Sequence, residues 1–132
     1  MTSNLRIIRV RDFIEATAQG DLDFAKARQA IQEASLVPGA FINYDLLIDT
    51  RGSENKLSAA DTWQLAAELA ALVRANTGKY RAKIPVLCPV KEFDHAKFFE
   101  LCSHNRGLNV RAFTSFEELF EWLSQPSQIT KE

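Results

Sequence analysis

Two cysteines, four prolines, five glycines and no apolar run long enough to span a bilayer exclude several classes of protein at once. Cys88 and Cys102 are not spaced as a close-set metal or redox pair, and each lies among apolar neighbours, where a thiol behaves as a small hydrophobe. Neither a disulfide framework nor a structural metal is needed, because a chain of 132 residues buries roughly two-thirds of its unfolded surface in one core. No charge of one sign dominates. Sixteen basic against seventeen acidic residues leave a net charge of −1, and so no general field that would draw in nucleic acid or an anionic membrane. No secretory signal stands near the N-terminus, so a cytoplasmic protein is expected. Glycine-rich nucleotide loops, metal-ligand spacings and catalytic constellations are also missing, so the expectation is a non-enzymatic binding or regulatory module with no cofactor and no metal.

What is present is a pattern of alternating elements. The last third reads β-α-β-α, from the apolar run 84–90 through an aromatic helix over 92–106 and the short run 108–113 to a helix over 114–123. Strands that alternate with helices of this length require a mainly parallel sheet with helices on its faces. The N-terminal part reads as two strands, 5–10 and 13–18, which predict an antiparallel pair at the sheet edge. Gly20 breaks the second strand, and Asp21 is the expected N-cap of a helix that runs to about Ser35, with Phe24, Ala27, Ile31 and Ala34 as its buried stripe. Residues 41–49 read as a central strand and 50–56 as a polar turn. Ser58 and Asp61 stand at the spacing of a capping box, which opens a helix from Ala59 to Asn76. The fold class expected is α/β: a four- to five-stranded mainly parallel sheet, an antiparallel N-terminal pair and about four helices. One domain is expected over 1–125, followed by a short tail over 126–132.

The helix 59–76 carries two stripes, a small one through Trp63, Ala66, Ala67 and Ala70 and a larger one through Leu65, Leu69, Leu72 and Val73. Together they cover roughly 220° of arc at 100° per residue, more than an ordinary surface helix buries. The Leu65, Leu69 and Leu72 stripe is accordingly a candidate interface for a protein partner or a second copy in a homodimer, beside the simpler reading that it packs on a neighbouring helix. The local basic groups, Arg6, Arg9 and Arg11 and then Arg74, Lys79, Arg81 and Lys83, read as solvated loop and edge charge.

Among polar residues, Asp49, Thr50, Arg51, Ser53 and Ser58 gather around the expected exit of the central strand, next to a helix N-terminus where backbone N–H groups converge. An acidic side chain or a small anion would suit that loop, with Asp49 bracing Arg51; an ordinary polar turn accounts for the same residues. Asp45 and Asp49 do not form a carboxylate pair, since four residues of extended strand separate them by roughly 13 Å. His95 begins a run with Phe98, Phe99 and Cys102 at helical offsets, which predicts a buried-facing imidazole and a possible ligand contact near a strand end. The aromatics Trp63, Phe93, Phe98 and Phe99 suggest an alternative function, a pocket for a small apolar or lipid-like ligand. A small hydrolase or transferase built on Asp49, Arg51, Ser53 and His95 has no nucleophile and base paired by spacing.

Several of these segments together resemble a known family. They are Gly20-Asp21-Leu22-Asp23, the strand 46–49 with Thr50-Arg51-Gly52 after it, the long helix, and a closing run from Phe113 through Glu118 to Trp122-Leu123. The pattern is similar to that of the SpoIIAA-like proteins, relatives of the STAS domain of anti-sigma-factor antagonists. That resemblance implies a sheet of four or five strands with helices on its faces, and a non-enzymatic role in protein association or ligand sensing. In phosphorylated members a serine at the start of the helix after the central strand is the kinase target. Ser58 holds the comparable place, but Leu57 and Ala59 flank it and the Asp-Ser-Ser-Gly-like motif is absent.

Overall fold

The computed structural model describes residues 5–10, 13–41, 44–76 and 82–125. Five strands form one sheet in the order β1 (Leu5–Val10), β2 (Phe13–Leu22), β3 (Asp45–Asn55), β4 (Lys83–Leu87), β5 (Asn109–Phe113). β1 runs antiparallel to β2, and β2 through β5 are parallel to one another. The parallel crossovers are α1 (Phe24–Ser35), α2 (Ala59–Asn76) and α3 (Phe93–His104), the last preceded by a single 3-10 turn over Val90–Glu92. Each crossover steps to the adjacent strand in the same direction. Because such connections share one hand, all three helices belong on the same side of the sheet.

The packing follows that rule. Ile14, Ala16, Leu46, Ile84, Val86, Val110 and Ala112 form the sheet's contribution to one core, which Ile31 and Ala34 of α1, Leu65 and Leu69 of α2 and Ala96 of α3 complete. The opposite side carries, among the described residues, only the helix α4 (Phe116–Ser124), with Leu119 and Trp122 packed on Leu47, Leu87 and Phe113. Alternation along each strand sends neighbouring residues to opposite sides, so Leu46 and Leu47 belong to different cores.

Two boundaries differ from the sequence expectation. β2 does not stop near Gly20: it continues to Leu22, and β3 runs on through the segment that reads as a polar turn, so that Gly20 pairs with Ser53 and Leu22 with Asn55. Gly20 tolerates the required φ of 80° without cost. The helix cap moves with the boundary, to Asp23, whose Oδ1 accepts the Lys26 N–H at 2.9 Å. At the other end β3 starts at Asp45 rather than 41. Phe41 there is buried and sits at φ 64°, a left-handed conformation that is unfavourable for a residue with a Cβ and is held by burial of its ring.

Helix α2 has the bounds and the capping box that the sequence implies: Ser58 Oγ accepts the Asp61 N–H at 3.0 Å, and Asp61 Oδ2 accepts the Ser58 N–H at 3.0 Å. Its Leu stripe is not a surface. Leu65 and Leu69 are buried within the chain's own core and Leu72 is packed against that core, so the candidate interface through these three residues loses its basis. The helix buries more than one stripe because it meets two neighbours, with the Arg28 to Glu68 ion pair at 2.9 Å tying it to α1 and the Arg106 guanidinium lying 4.4 Å over the Trp63 ring on the α3 side.

Lys83 also departs from expectation. It is 4% exposed rather than solvated, and its Nζ donates to the carbonyl oxygens of Trp122 at 2.8 Å and Gln125 at 2.5 Å, which end α4. A cation at a helix C-terminus meets the negative end of the dipole and satisfies carbonyls that have no helical partner. Burial lowers its pKa, and the nearby Asp45 opposes that shift. Lys79, Arg81 and Arg11 lie outside the described residues, as does the tail over 126–132. Gly107 ends α3 at φ 81° and Leu108 packs back into the core, as the left-handed helix terminus requires.

Candidate functional site

The β3–β4 ladder is short. Ile48 pairs with Val86 and Asp49 with Leu87, and there it ends, while β3 continues alongside β2 and β4 turns off through Cys88 and Pro89 toward α3. A cavity of about 110 Å³ lies in this region, between the sheet and helices α1, α2 and α3. Alanines create it: Ala16 and Ala18 on β2, Ala27 and Ala30 on α1 and Ala96 on α3 face it where larger side chains would close the layer. Leu46, Ile48, Leu65, Val86 and Phe99 supply most of the remaining apolar wall.

A β-bulge decides which polar groups reach it. Thr17 pairs with Asp49 but Gln19 with Gly52, so β3 carries one extra residue between these rungs and its alternation shifts by one. Thr50 before the bulge and Ser53 and Asn55 after it therefore all line the cavity. Ser53 Oγ closes the bulge by donating to the Thr50 carbonyl at 2.9 Å, and Thr50 Oγ1 donates to the Leu87 carbonyl at 3.1 Å, where the β3–β4 ladder ends. Thr62, one turn into α2, donates its hydroxyl to the Ser58 carbonyl at 3.0 Å.

Glu92 and His95 complete this polar edge. Glu92 Oε2 accepts the Asn55 backbone N–H at 3.3 Å, and its Oε1 lies 2.8 Å from His95 Nδ1. Burial, the largest single influence, raises the Glu92 pKa, but the hydrogen bonds from His95 and Asn55 and the electrostatic influence of His95 and Lys91 together outweigh it and hold the carboxyl below its ordinary value. His95 is not buried-facing as its helical spacing suggests: its side chain is 59% exposed, drawn toward Glu92 at the cavity's edge. Cys88 also lines the cavity, and burial, with a smaller contribution from Glu92, pushes its pKa up to about 11, so the thiol stays protonated and is a poor nucleophile at neutral pH.

The polar cluster read from the sequence is thus divided by the sheet. Thr50, Ser53 and His95 come together on the cavity. Asp49 and Arg51 point to the α4 side, where Asp49 Oδ1 accepts Arg51 Nε at 3.1 Å, Asp49 Oδ2 accepts Arg51 Nη2 at 2.9 Å, and the guanidinium lies 5.8 Å over the Phe116 ring. Asp49 does brace Arg51, but in a place where neither meets the cavity. Asp45 is occupied separately by the Lys83 N–H at 2.7 Å. Ser58 is exposed and capping. The segment 49–55 is strand and not a loop of converging N–H groups, so the anion site expected there lacks its geometry.

Of the aromatics proposed for a pocket, Phe99 lines the cavity, whereas Phe98 and Trp63 are exposed and Phe93 packs on the core beside it. Glu92, Asn55 and Thr62 were not singled out by sequence reasoning. Ser53 and Thr50 spend their hydroxyl protons on backbone carbonyls and not on His95, so no nucleophile and base pair is assembled. Among the described residues no cluster of His, Cys, Asp and Glu could hold a metal ion, and no helix is long and apolar enough to cross a membrane.

The class of architecture is clear at this point: an α/β sheet of SpoIIAA-like fold. A solved structure described as an uncharacterized protein from the DUF3478 family with a SpoIIAA-like fold, from Shewanella loihica PV-4, is similar with a TM-score of 0.54. It is 17% identical, and the match covers 93% of this chain and 98% of that one. That likeness is one of fold. A scan against protein-family models matches none, and no curated protein matches by sequence.

Proposed function

We propose that the chain is a non-enzymatic binding module whose ligand is a small, mainly apolar molecule held between the sheet and its three helices. The observation that carries this reading is the cavity itself. Protein interiors are packed to crystal density with few voids larger than a water, and an apolar space of about 110 Å³ with polar groups gathered at one edge has the lining chemistry of a small-molecule site, on a small scale. Its size suits a single ring: an aliphatic cavity of ~150 Å³ accepts benzene. The role in protein association expected from the sequence rested on the family resemblance, the strand-end loop and a Leu stripe; the stripe lies inside the chain and the loop segment is strand, so the ligand reading has the better support.

Thermal unfolding in the presence of toluene tests it. Ligand at about ten times its Kd stabilises the folded state by about 1.4 kcal/mol, a rise of ~3–6 °C for a domain of this size. A rise of that order, or a co-purifying small molecule found by native mass spectrometry, supports the reading. An unchanged melting temperature at saturating toluene together with a bare native mass contradicts it.

One surface favours a second reading, association with a protein through α4. Phe116 and Phe120 are 42% and 41% exposed and stack on each other with ring centroids 4.6 Å apart on the outer side of the sheet. Light scattering at high micromolar concentration checks the self-associating form: a monomer mass there removes it.

A further inference from the structure

The hydrogen bonds around the cavity restrict the ligand's chemistry beyond its being apolar. A carbonyl oxygen has no proton, so a hydroxyl bonded to one must be the donor. Thr50 donates to Leu87, Ser53 to Thr50 and Thr62 to Ser58, in each case to a backbone carbonyl. All three hydroxyl protons are spent. What these side chains still offer the cavity is oxygen lone pairs, which only accept.

Glu92 extends the same polarity. The Glu92 carboxylate has no proton to give and uses one bond per oxygen, to Asn55 N–H and to His95, which leaves lone pairs on both. Nδ1 of His95 faces that carboxylate at 2.8 Å, and since a carboxylate only accepts, Nδ1 carries the hydrogen of that bond. The Asn55 amide is the counterexample: its Oδ1 accepts the Leu57 N–H at 2.6 Å and its NH2 remains a donor. Several acceptors and one amide donor therefore meet at one edge of an apolar space.

We infer that the ligand is a monocyclic or short-chain molecule with a hydrogen-bond donor, an alcohol or an amine, placed at the edge formed by Thr50, Ser53, Thr62 and Glu92, with its apolar part among the alanines. The inference rests on the ligand reading above and deepens it. An acid or phosphate ester would bring lone pairs to lone pairs and a negative charge to Glu92, and unpaired buried polar groups are what a site rejects most strongly.

Three neutral probes of one size separate the two claims: toluene, benzyl alcohol and anisole, each titrated by calorimetry into the intact protein at one fixed pH. Apolar transfer alone ranks anisole above benzyl alcohol, because the hydroxyl is costlier to desolvate. The acceptor edge reverses that order, and benzyl alcohol is expected to bind at least about fivefold more tightly than anisole, a margin that one net hydrogen bond supplies. In Glu92→Gln, which puts an amide donor in place of an acceptor, the margin shrinks. Toluene binding with anisole equal to or tighter than benzyl alcohol overturns the donor inference and leaves the cavity's function standing. Binding of none of the three overturns both.

Discussion

The two sides of the sheet are built on opposite principles. On one, three helices cover the strands and leave a space lined by alanine; on the other, among the described residues, a nine-residue helix packs on the sheet through large side chains. The α4 side fills its contact with large rings, Phe113 against Trp122 at 5.6 Å and Phe13 against Phe120 at 6.0 Å, and seals its ends with charge, through Lys83 at the α4 carbonyls and Asp49 with Arg51 on the strand. Greater cover therefore does not mean denser packing. Three helices meeting one sheet must satisfy one another as well as the strands, and small residues at their common meeting point leave a space there.

If that contrast is right, truncation should hurt most where packing is tight. Trp122→Ala, on the α4 side, is expected to cost about 3–5 kcal/mol in denaturant unfolding, because it removes a ring from contact with Phe113 and uncovers Lys83. A loss below about 1 kcal/mol would mean that α4 is a loosely held flap.

Enlargement should separate the two sides more sharply. Leu47→Phe pushes into the closed core under α4 and is expected to cost about 1–3 kcal/mol. Ala18→Val adds two methyl groups at the cavity, on a strand that favours β-branched residues, and is expected to leave stability unchanged or raised by up to about 1.5 kcal/mol while weakening toluene binding at least about tenfold. Equal losses from both would show that the cavity has no spare volume in solution.

Arg51→Ala then asks whether the sequence's polar cluster is one site or two. Its guanidinium is half exposed and its partner Asp49 is buried, so the expected loss is about 1 kcal/mol of stability with cavity binding unchanged. Weaker toluene binding in this variant, at unchanged melting temperature, would place Arg51 with the cavity after all.

The smallest effect belongs to Glu92 and depends on pH. Its folded pKa is lowered, so its contribution to stability is complete above the ordinary carboxylate range and is lost as pH falls through the lowered value. Stability curves of the wild type and Glu92→Gln should run apart near neutrality and converge in acid. Parallel curves over the whole range would show that the bonds to His95 and Asn55 do not hold in solution.

Much of the fold is legible in the sequence because it rests on local signals. The bounds of α2 follow from a capping box and a 3.6-residue period, and the parallel arrangement of β3, β4 and β5 follows from the alternation of elements. The continuation of β3 through Thr50-Arg51-Gly52-Ser53-Glu54-Asn55 is not legible, since that composition is a turn's and it is pairing with β2 that holds it extended. The bulge has the same cause, and it alone puts Ser53 on the cavity side and separates it from Arg51. Thr50, Ser53 and His95 could be named as candidates from residue type. The alanines and Glu92 could not, because a cavity is volume that several elements together fail to fill, and no single segment records it.

Chemical-shift mapping tests the difference between the two sides most directly. Toluene added to isotopically labelled protein is predicted to move the signals of Ala16, Ala18, Ile48, Val86 and Ala96 and to leave Leu119, Phe120 and Trp122 in place. Shifts confined to the α4 residues, or none at saturating toluene, would contradict the account.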